Sequence, residues 1–302
     1  MLLYYSFLVI SVVMFGCGFA LQDLFRKQRG DNLKISMESA FIASITGIIV
    51  LFIINIINGI VLEFTWFTFI VALVSAINVI AFTFFTFKAL EYINLSLYSL
   101  FSMLGGMALP FLQGIIFYGE GFTVAKGICV ALICASLLCT FEKGENKKGA
   151  LFCIGIFIFN GMSGVITKIF TATDLPKTSA ETYNIWISLL TLAMSGIAWA
   201  ILSYLEKRKN KDAVIEKPTK KLLWQSYGVM SLYGILNRVG GLLLVLALAH
   251  VDASVQYPMV TGGTIIVCTI ISLLSRKKPS KKELVSVALA VISMLALFLI
   301  PV

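Results

Sequence analysis

Long apolar runs, broken only by short polar stretches, make up almost the whole chain. Ten of these runs approach the roughly 20 residues that a helix needs to cross about 30 Å of hydrocarbon. The pattern predicts helical spans at 3–24, 36–61, 66–90, 94–119, 122–141, 149–171, 179–205, 222–249, 253–275 and 281–300. YGEGF separates the fourth and fifth and HVDA the eighth and ninth, tight turns that suit antiparallel neighbours. The one long polar stretch, EKRKNKDAVIEKPTKK at 206–221, is too charged to span and reads as a loop.

Composition agrees with a membrane setting. The 302 residues are 59% hydrophobic and 13% charged, and the mean hydropathy is +0.96. A soluble domain carries about 25% charged residues, so there is too little polar surface here to coat a water-soluble body. The first run lacks the basic leader and small-residue cleavage site of a signal peptide and is expected to stay as the first helix. All six cysteines fall in apolar runs without a C-x-x-C pair and read as small apolar fillers.

The net charge of +9 arises from clusters beside the membrane, not from a basic stripe with interleaved aromatics, so nucleic acid is not an expected partner. Twenty of the 24 Lys and Arg lie in or beside the loops after spans 1, 3, 5, 7 and 9. The positive-inside rule makes that face cytoplasmic. A multi-pass protein of the cell membrane follows, with both termini expected on the extracytoplasmic side.

An internal repeat organises the spans. A shift of 158 residues sets Trp66 on Trp224, Ala89-Leu90 on Ala247-Leu248, Asn94 on Asp252, Ser96 on Ser254 and Gly105 on Gly263. A shift of 145 sets Gly16 on Gly161 and Phe25 on Phe170. Two units result, 1–143 and 144–302, of five spans each. Because five is odd, the second unit enters the membrane from the opposite side. The fold class expected is all-α and integral to the membrane, with ten transmembrane helices in two inverted repeats. That is the plan of many secondary transporters, in which a central path opens to one side at a time. Ten spans suffice to enclose such a path, so a monomer is expected.

Residues 66–141 resemble an EamA-type unit of the drug/metabolite transporter superfamily. The likeness rests on KALEYINLSLYSLFSMLGGMALPFLQGIIFYGEGFT: a span ending in Ala89-Leu90, a small-residue helix over Tyr98–Gly106 with Pro110 inside it, and the Gly119-Glu120 turn. The second copy, LALAHVDASVQYPMVTGGTIIV, moves its proline to Pro258 and has RKKPSKK where the Gly-Glu turn would be. The resemblance implies ten helices, two inverted repeats and transport of small metabolites or drugs by alternating access. Ten-span relatives usually keep both termini in the cytoplasm, the reverse of what the charge count predicts here. Small four-span relatives use a glutamate embedded in their first span, and the first span here has none. Asp23 lies at its end, while Glu38, Glu91, Glu142 and Glu181 read as interfacial. A carboxylate-based cation antiport is therefore disfavoured, and a coupling ion is left open.

Polar residues recurring at helical spacing inside a span mark a face turned away from lipid. Tyr227, Ser231, Gly234, Arg238 and Gly241 do so in span 8; Ser254, Tyr257, Thr261, Thr264, Cys268 and Ser272 in span 9; Tyr98, Ser102, Gly105 and Gln113 in span 4. Asn160, Gly164 and Thr167 line up in span 6, and Ser11, Gly18 and Gln22 in span 1. Small residues also let membrane helices pack closely, and hydroxyls and amides join helices by hydrogen bonds, so packing competes with binding at each position. Five stripes together predict a polar centre larger than packing needs. Its expected substrate-binding residues are Arg238, Asn160, Tyr98, Tyr257, Gln256, Asn78, Tyr227 and Ser231; Asn237 points about 100° away from Arg238 around the helix.

Arg238 stands out. It lies fourteen residues, roughly 21 Å at 1.5 Å per residue, from both Trp224 and Asp252, too far to snorkel. No acidic residue stands at comparable depth in another span. A planar guanidinium suits a carboxylate, so an amino acid or organic acid is the favoured substrate. A neutral or cationic metabolite or drug, with Arg238 structural, is the alternative within transport, and a membrane enzyme or scaffold the alternative outside it. Catalytic, metal-binding and nucleotide-binding motifs are absent from the sequence, which holds a single histidine; no enzyme activity, cofactor or metal is expected.

Overall fold

A computed structural model describes residues 2–59, 62–118, 147–209, 219–248, 253–275 and 279–299, with 127–128, 131–132 and 135–136 between them. The described residues are helical apart from short connections, and contain no strand. The helices are α1 (Leu2–Arg29), α2 (Leu33–Asn58), α3 (Trp66–Tyr92), α4 (Leu95–Tyr118), α5 (Lys147–Ala172), α6 (Ala180–Lys209), α7 (Lys220–Leu248), α8 (Ala253–Leu274) and α9 (Lys281–Leu299). Each lies within a few residues of a predicted span. Of the span expected at 122–141, only 127–128, 131–132 and 135–136 fall within the described residues, and all six are helical. Six helices, α1 to α6, are long and apolar enough to cross a membrane.

Side-chain caps set the helix boundaries. Asn32 accepts a hydrogen bond from the Ile35 N–H (2.9 Å) at the start of α2, Thr65 from Thr68 (3.2 Å) before α3, and Asn94 from Leu97 (2.9 Å) before α4. Each satisfies a donor that the first helical turn leaves unpaired. Gly59 ends α2 in the left-handed region, φ 62°, where a glycine meets no Cβ penalty.

The distribution of polarity is the reverse of that in a soluble protein. Trp66, Ile70, Val74 and Ile77 form an exposed apolar ridge on α3, and Ile45, Ile49, Ile53 and Ile56 another on α2. Their i, i+4, i+8, i+11 spacing keeps each ridge on one face of its helix. Buried positions are rich in hydroxyls and amides, among them Ser11, Gln22, Ser75, Asn78, Ser99 and Ser188. Apolar outside and polar inside is the arrangement that hydrocarbon solvent favours.

Neighbouring helices come from both halves of the chain. α1 packs on α7 and α8, α2 on α6 and α7, α3 on α5 and α6, and α4 on α5 and α8. Glycines allow the closest approaches. A Cβ on Gly105 would overlap the Phe157 carbonyl, and one on Gly161 would stand 2.6 Å from the Gly105 carbonyl and Leu109. On the other pair, a Cβ on Gly263 would stand 2.9 Å from Val12, and one on Gly16 would overlap Val267. Ser136 and Ser286 are joined reciprocally: each hydroxyl donates to the other's backbone carbonyl, Ser136 at 2.8 Å.

The charged side chains that pair gather at one end of the bundle. Arg29 donates to both oxygens of Glu38 (2.8 and 2.9 Å), and the Tyr227 hydroxyl donates to the same carboxylate (2.7 Å). Lys34 pairs with Glu206 at 2.5 Å and Lys88 with Asp31 at 3.5 Å, while Asn94 donates to Glu283 at 2.7 Å. These contacts bring together the helix ends that flank the loops with the basic bias.

Candidate functional site

Between α1, α2, α3, α5, α6 and α7 lies a cavity of ≈ 280 Å³. Twelve of its twenty lining residues carry an amide or a hydroxyl. Gln22 comes from α1 and Ser44 from α2; Ser75, Asn78 and Thr83 from α3; Asn160, Ser163 and Thr167 from α5; Asn184 and Thr191 from α6; Tyr233, Asn237 and Arg238 from α7. Arg238 is the one charged residue among them. Among the described residues no carboxylate lines the cavity.

Arg238 lies about 27 Å along α7 from Lys220 and about 15 Å from Leu248, at 1.5 Å per residue. Gly47 of α2 makes room for it: a Cβ there would stand 3.1 Å from Arg238 Nε. Gly234 has another task, since its Cβ would overlap Thr46 and stand 2.8 Å from the Ala43 carbonyl, so it seats α7 on α2. Nothing lies within 4 Å of a Cβ on Gly241. Among the described residues no hydrogen bond or ion pair engages the guanidinium or the neighbouring Asn237 amide. Asn237 lines the cavity beside Arg238, because Met230, Tyr233, Gly234, Asn237 and Arg238 share one broad face of α7.

The amides opposite are tied down. Asn78 donates to the Phe159 carbonyl (2.9 Å) and Ser163 Oγ (2.8 Å), Asn160 to the Ser102 carbonyl (2.5 Å), and Asn184 to the Ala180 carbonyl (2.9 Å). Gln22 Oε1 and the Thr191 hydroxyl are buried without a partner among the described residues.

The two ends of the cavity differ. Met230, on the wall, belongs to a buried cluster with Phe25, Ile35 and Phe87; the Arg29–Glu38–Tyr227 contacts stand at the same end. At the other end, exposed Thr167 and half-buried Asn184 stand within about 8 Å of the end of α5 and the start of α6. Beside them, Ile187 packs in a cluster with Val71, Ala72, Phe170 and Tyr183.

Of the expected binding residues, Arg238, Asn160 and Asn78 meet around this cavity. Tyr98 does not line it: it is fully buried, edge-on to Phe19, with its hydroxyl 3.2 Å from that of Thr86. Tyr227 spends its hydroxyl on Glu38, and Ser231, half-buried, is not on the wall. The side chains of Gln256 and Tyr257 lie outside the described residues. Glu38, read as interfacial, is only 2% exposed, because its partners let a carboxylate be buried. The contribution of α6 carries a signal in the sequence: Asn184, Ser188, Thr191 and Ser195 recur at i, i+4, i+7 and i+11.

No protein-family model matches the chain, and a search of curated proteins finds no match. A solved structure described as "Crystal structure of protein" superposes with a TM-score of 0.58 over 96% of each chain, at 14% identity. At that identity the likeness is one of fold.

Proposed function

We propose that this chain is a secondary transporter of the EamA type that moves a small carboxylate-bearing metabolite by alternating access. One observation carries the reading: among the described residues the cavity wall holds a single charged side chain, Arg238, and no hydrogen bond or ion pair engages its guanidinium. A charge at mid-bilayer costs at least about 2.5–3.5 kcal/mol on the insertion scale. An arginine placed there with no counter-ion on the cavity wall suits a site whose counter-ion arrives with the solute.

The architecture in this reading is ten spans in two inverted units, 1–143 and 144–302. Support comes from contacts that the repeat relates. Exchanging α1 with α5, α2 with α6, α3 with α7 and α4 with α8 turns the α1–α7 packing into α5–α3, and α4–α5 into α8–α1. The shifts of 158 and 145 carry Gly105 onto Gly263 and Phe157 back onto Val12, so one glycine contact becomes the other. They likewise carry the Gly161–Leu109 contact onto Gly16–Val267. Phe25 and Phe170 sit in corresponding clusters at the two ends of the cavity, each with its repeat-related companion, Met230 or Ala72. Reciprocal bonding of Ser136 and Ser286 is what a two-fold axis between the units produces.

The charged end, facing the cytoplasm, is then the closed end, and the cavity reaches outward past Thr167 and Asn184. Purified protein in liposomes should take up a labelled organic acid. Arg238→Gln should weaken binding by about 2 kcal/mol or more, roughly 30-fold. Arg238→Lys should fall between, since it keeps the charge and loses the fork. Normal uptake by Arg238→Gln would end the carboxylate reading. Aggregation of that variant would mark the arginine as structural.

A further inference from the structure

An amide on a cavity wall can offer a donor or an acceptor, and here the protein has already used one kind. Asn78, Asn160 and Asn184 each give their N–H₂ to a backbone carbonyl, of Phe159, Ser102 and Ala180 respectively. A carbonyl can only accept, so chemistry fixes which way each amide is turned. Oδ1 has no partner among the described residues on any of the three; Asn78 has spent both N–H groups, the second on Ser163 Oγ, while Asn160 and Asn184 keep one each. The Gln22 amide makes no hydrogen bond among the described residues, so it can present either its oxygen or its N–H₂.

Arg238 supplies the opposite chemistry, N–H donors alone. Among the described residues α7 makes no close approach to α3 or α5, so the cavity lies between Arg238 and Asn78 with Asn160. The Arg238 side thus carries the charge and donors, and the side of Asn78 is the richer in unpartnered acceptors.

We propose that this cavity selects a solute with one carboxylate, for Arg238, and hydrogen-bond donors at its other end, and that it discriminates against a second carboxylate there. The inference rests on the reading of Arg238 as the carboxylate site. The donor end is a protonated amine or a hydroxyl group; both satisfy amide oxygens. A carboxylate facing Asn78, whose N–H groups are both spent, would set acceptor against acceptor away from water, and a methyl end would leave the amide oxygens unpaired. A site built for hydrogen bonds rejects analogues that lack them.

The test uses the full chain, purified in detergent, and thermal shifts with unbranched acids of four and six carbons. Each length is presented with an amino, hydroxyl, carboxylate or methyl group at the far end. The amino- or hydroxyl-ended acids should bind at least about tenfold more tightly than the dicarboxylate and methyl-ended acids of equal length. Which of the two leads identifies the donor as amine or hydroxyl. In Asn184→Asp, which gives up only the intrahelical bond to Ala180, the gap between donor-ended acids and dicarboxylates should widen at least about threefold. An unchanged gap there overturns the acceptor side of the site. Shifts that depend on Arg238, yet rank a dicarboxylate or methyl-ended acid first, overturn this inference alone. Shifts that persist in Arg238→Gln, or no shift with any acid, overturn the carboxylate reading and this inference with it.

Discussion

Glu38 and Arg238 are both ionisable residues within helices, and their surroundings give them opposite roles. Glu38 accepts three hydrogen bonds, two from Arg29 and one from the Tyr227 hydroxyl, and Arg29 is itself only 10% exposed. Removing one member leaves the other buried and unpaired. Glu38→Ala should therefore cost about 3–5 kcal/mol, seen as a lower unfolding temperature in detergent. The paired change Arg29→Met with Glu38→Leu should cost less than Glu38→Ala alone, because no orphan charge remains. A double variant as unstable as the single one would mean that packing, not charge, decides this corner. Asn78, Asn160 and Arg238 were legible in the sequence because a large polar side chain deep in an apolar run has few uses. Tyr98 and Tyr227 misled because a tyrosine hydroxyl is satisfied as well by a neighbouring hydroxyl or carboxylate as by a ligand, and the sequence does not say which is near.

Helix positions were legible to within a few residues, since apolar runs and capping Asn and Thr mark them. Helix pairings were not. A helix that is apolar nearly all round gives no strong periodicity to separate its lipid face from its packed face. The glycines hold part of that missing information. Gly105 and Gly263, which the shift of 158 sets on one another, both stand at close helix approaches, yet the two sites are not equally tight. Gly105 meets the Phe157 backbone, which cannot yield without moving a helix, while Gly263 meets the Val12 side chain. Gly105→Ala should cost about 1–3 kcal/mol and exceed the cost of Gly263→Ala. Gly241→Ala, with nothing within 4 Å, is the neutral control. Equal unfolding temperatures for all three variants would sink this account of the α4–α5 contact. Gly263→Leu, larger still, should impair transport with expression largely kept.

For the molecule as a whole, an apolar exterior around a polar interior accounts for the membrane setting, and only the placement of Lys and Arg speaks to direction. Leu175, exposed between α5 and α6, and Lys207, exposed near the end of α6, lie on opposite faces in the proposed topology. In a background without native cysteines, Leu175→Cys should react with an impermeant thiol reagent on intact cells, and Lys207→Cys only after permeabilisation. The reverse labelling would invert the molecule and place the open end of the cavity toward the cytoplasm. The cavity itself was half legible. Its arginine and two of its asparagines could be named from depth and helical spacing, but the side of α6 that completes it could not be chosen before the α2–α6 and α3–α6 packing was known.

An unpaired guanidinium midway along α7 is also a charge inside the electric field of the membrane. Moving one elementary charge through the full potential is worth about 2.3 kcal/mol per 100 mV. In the proposed transport cycle, an empty site that changes sides would carry some part of that charge with it, so the return of the unloaded carrier would sense voltage. A hydroxy acid bound at Arg238 cancels the charge, and the loaded step becomes electrically silent. An amino acid cancels it at one end and restores it at the other, leaving both steps sensitive. Current measured across a reconstituted bilayer would therefore separate the two kinds of solute without any measurement of affinity.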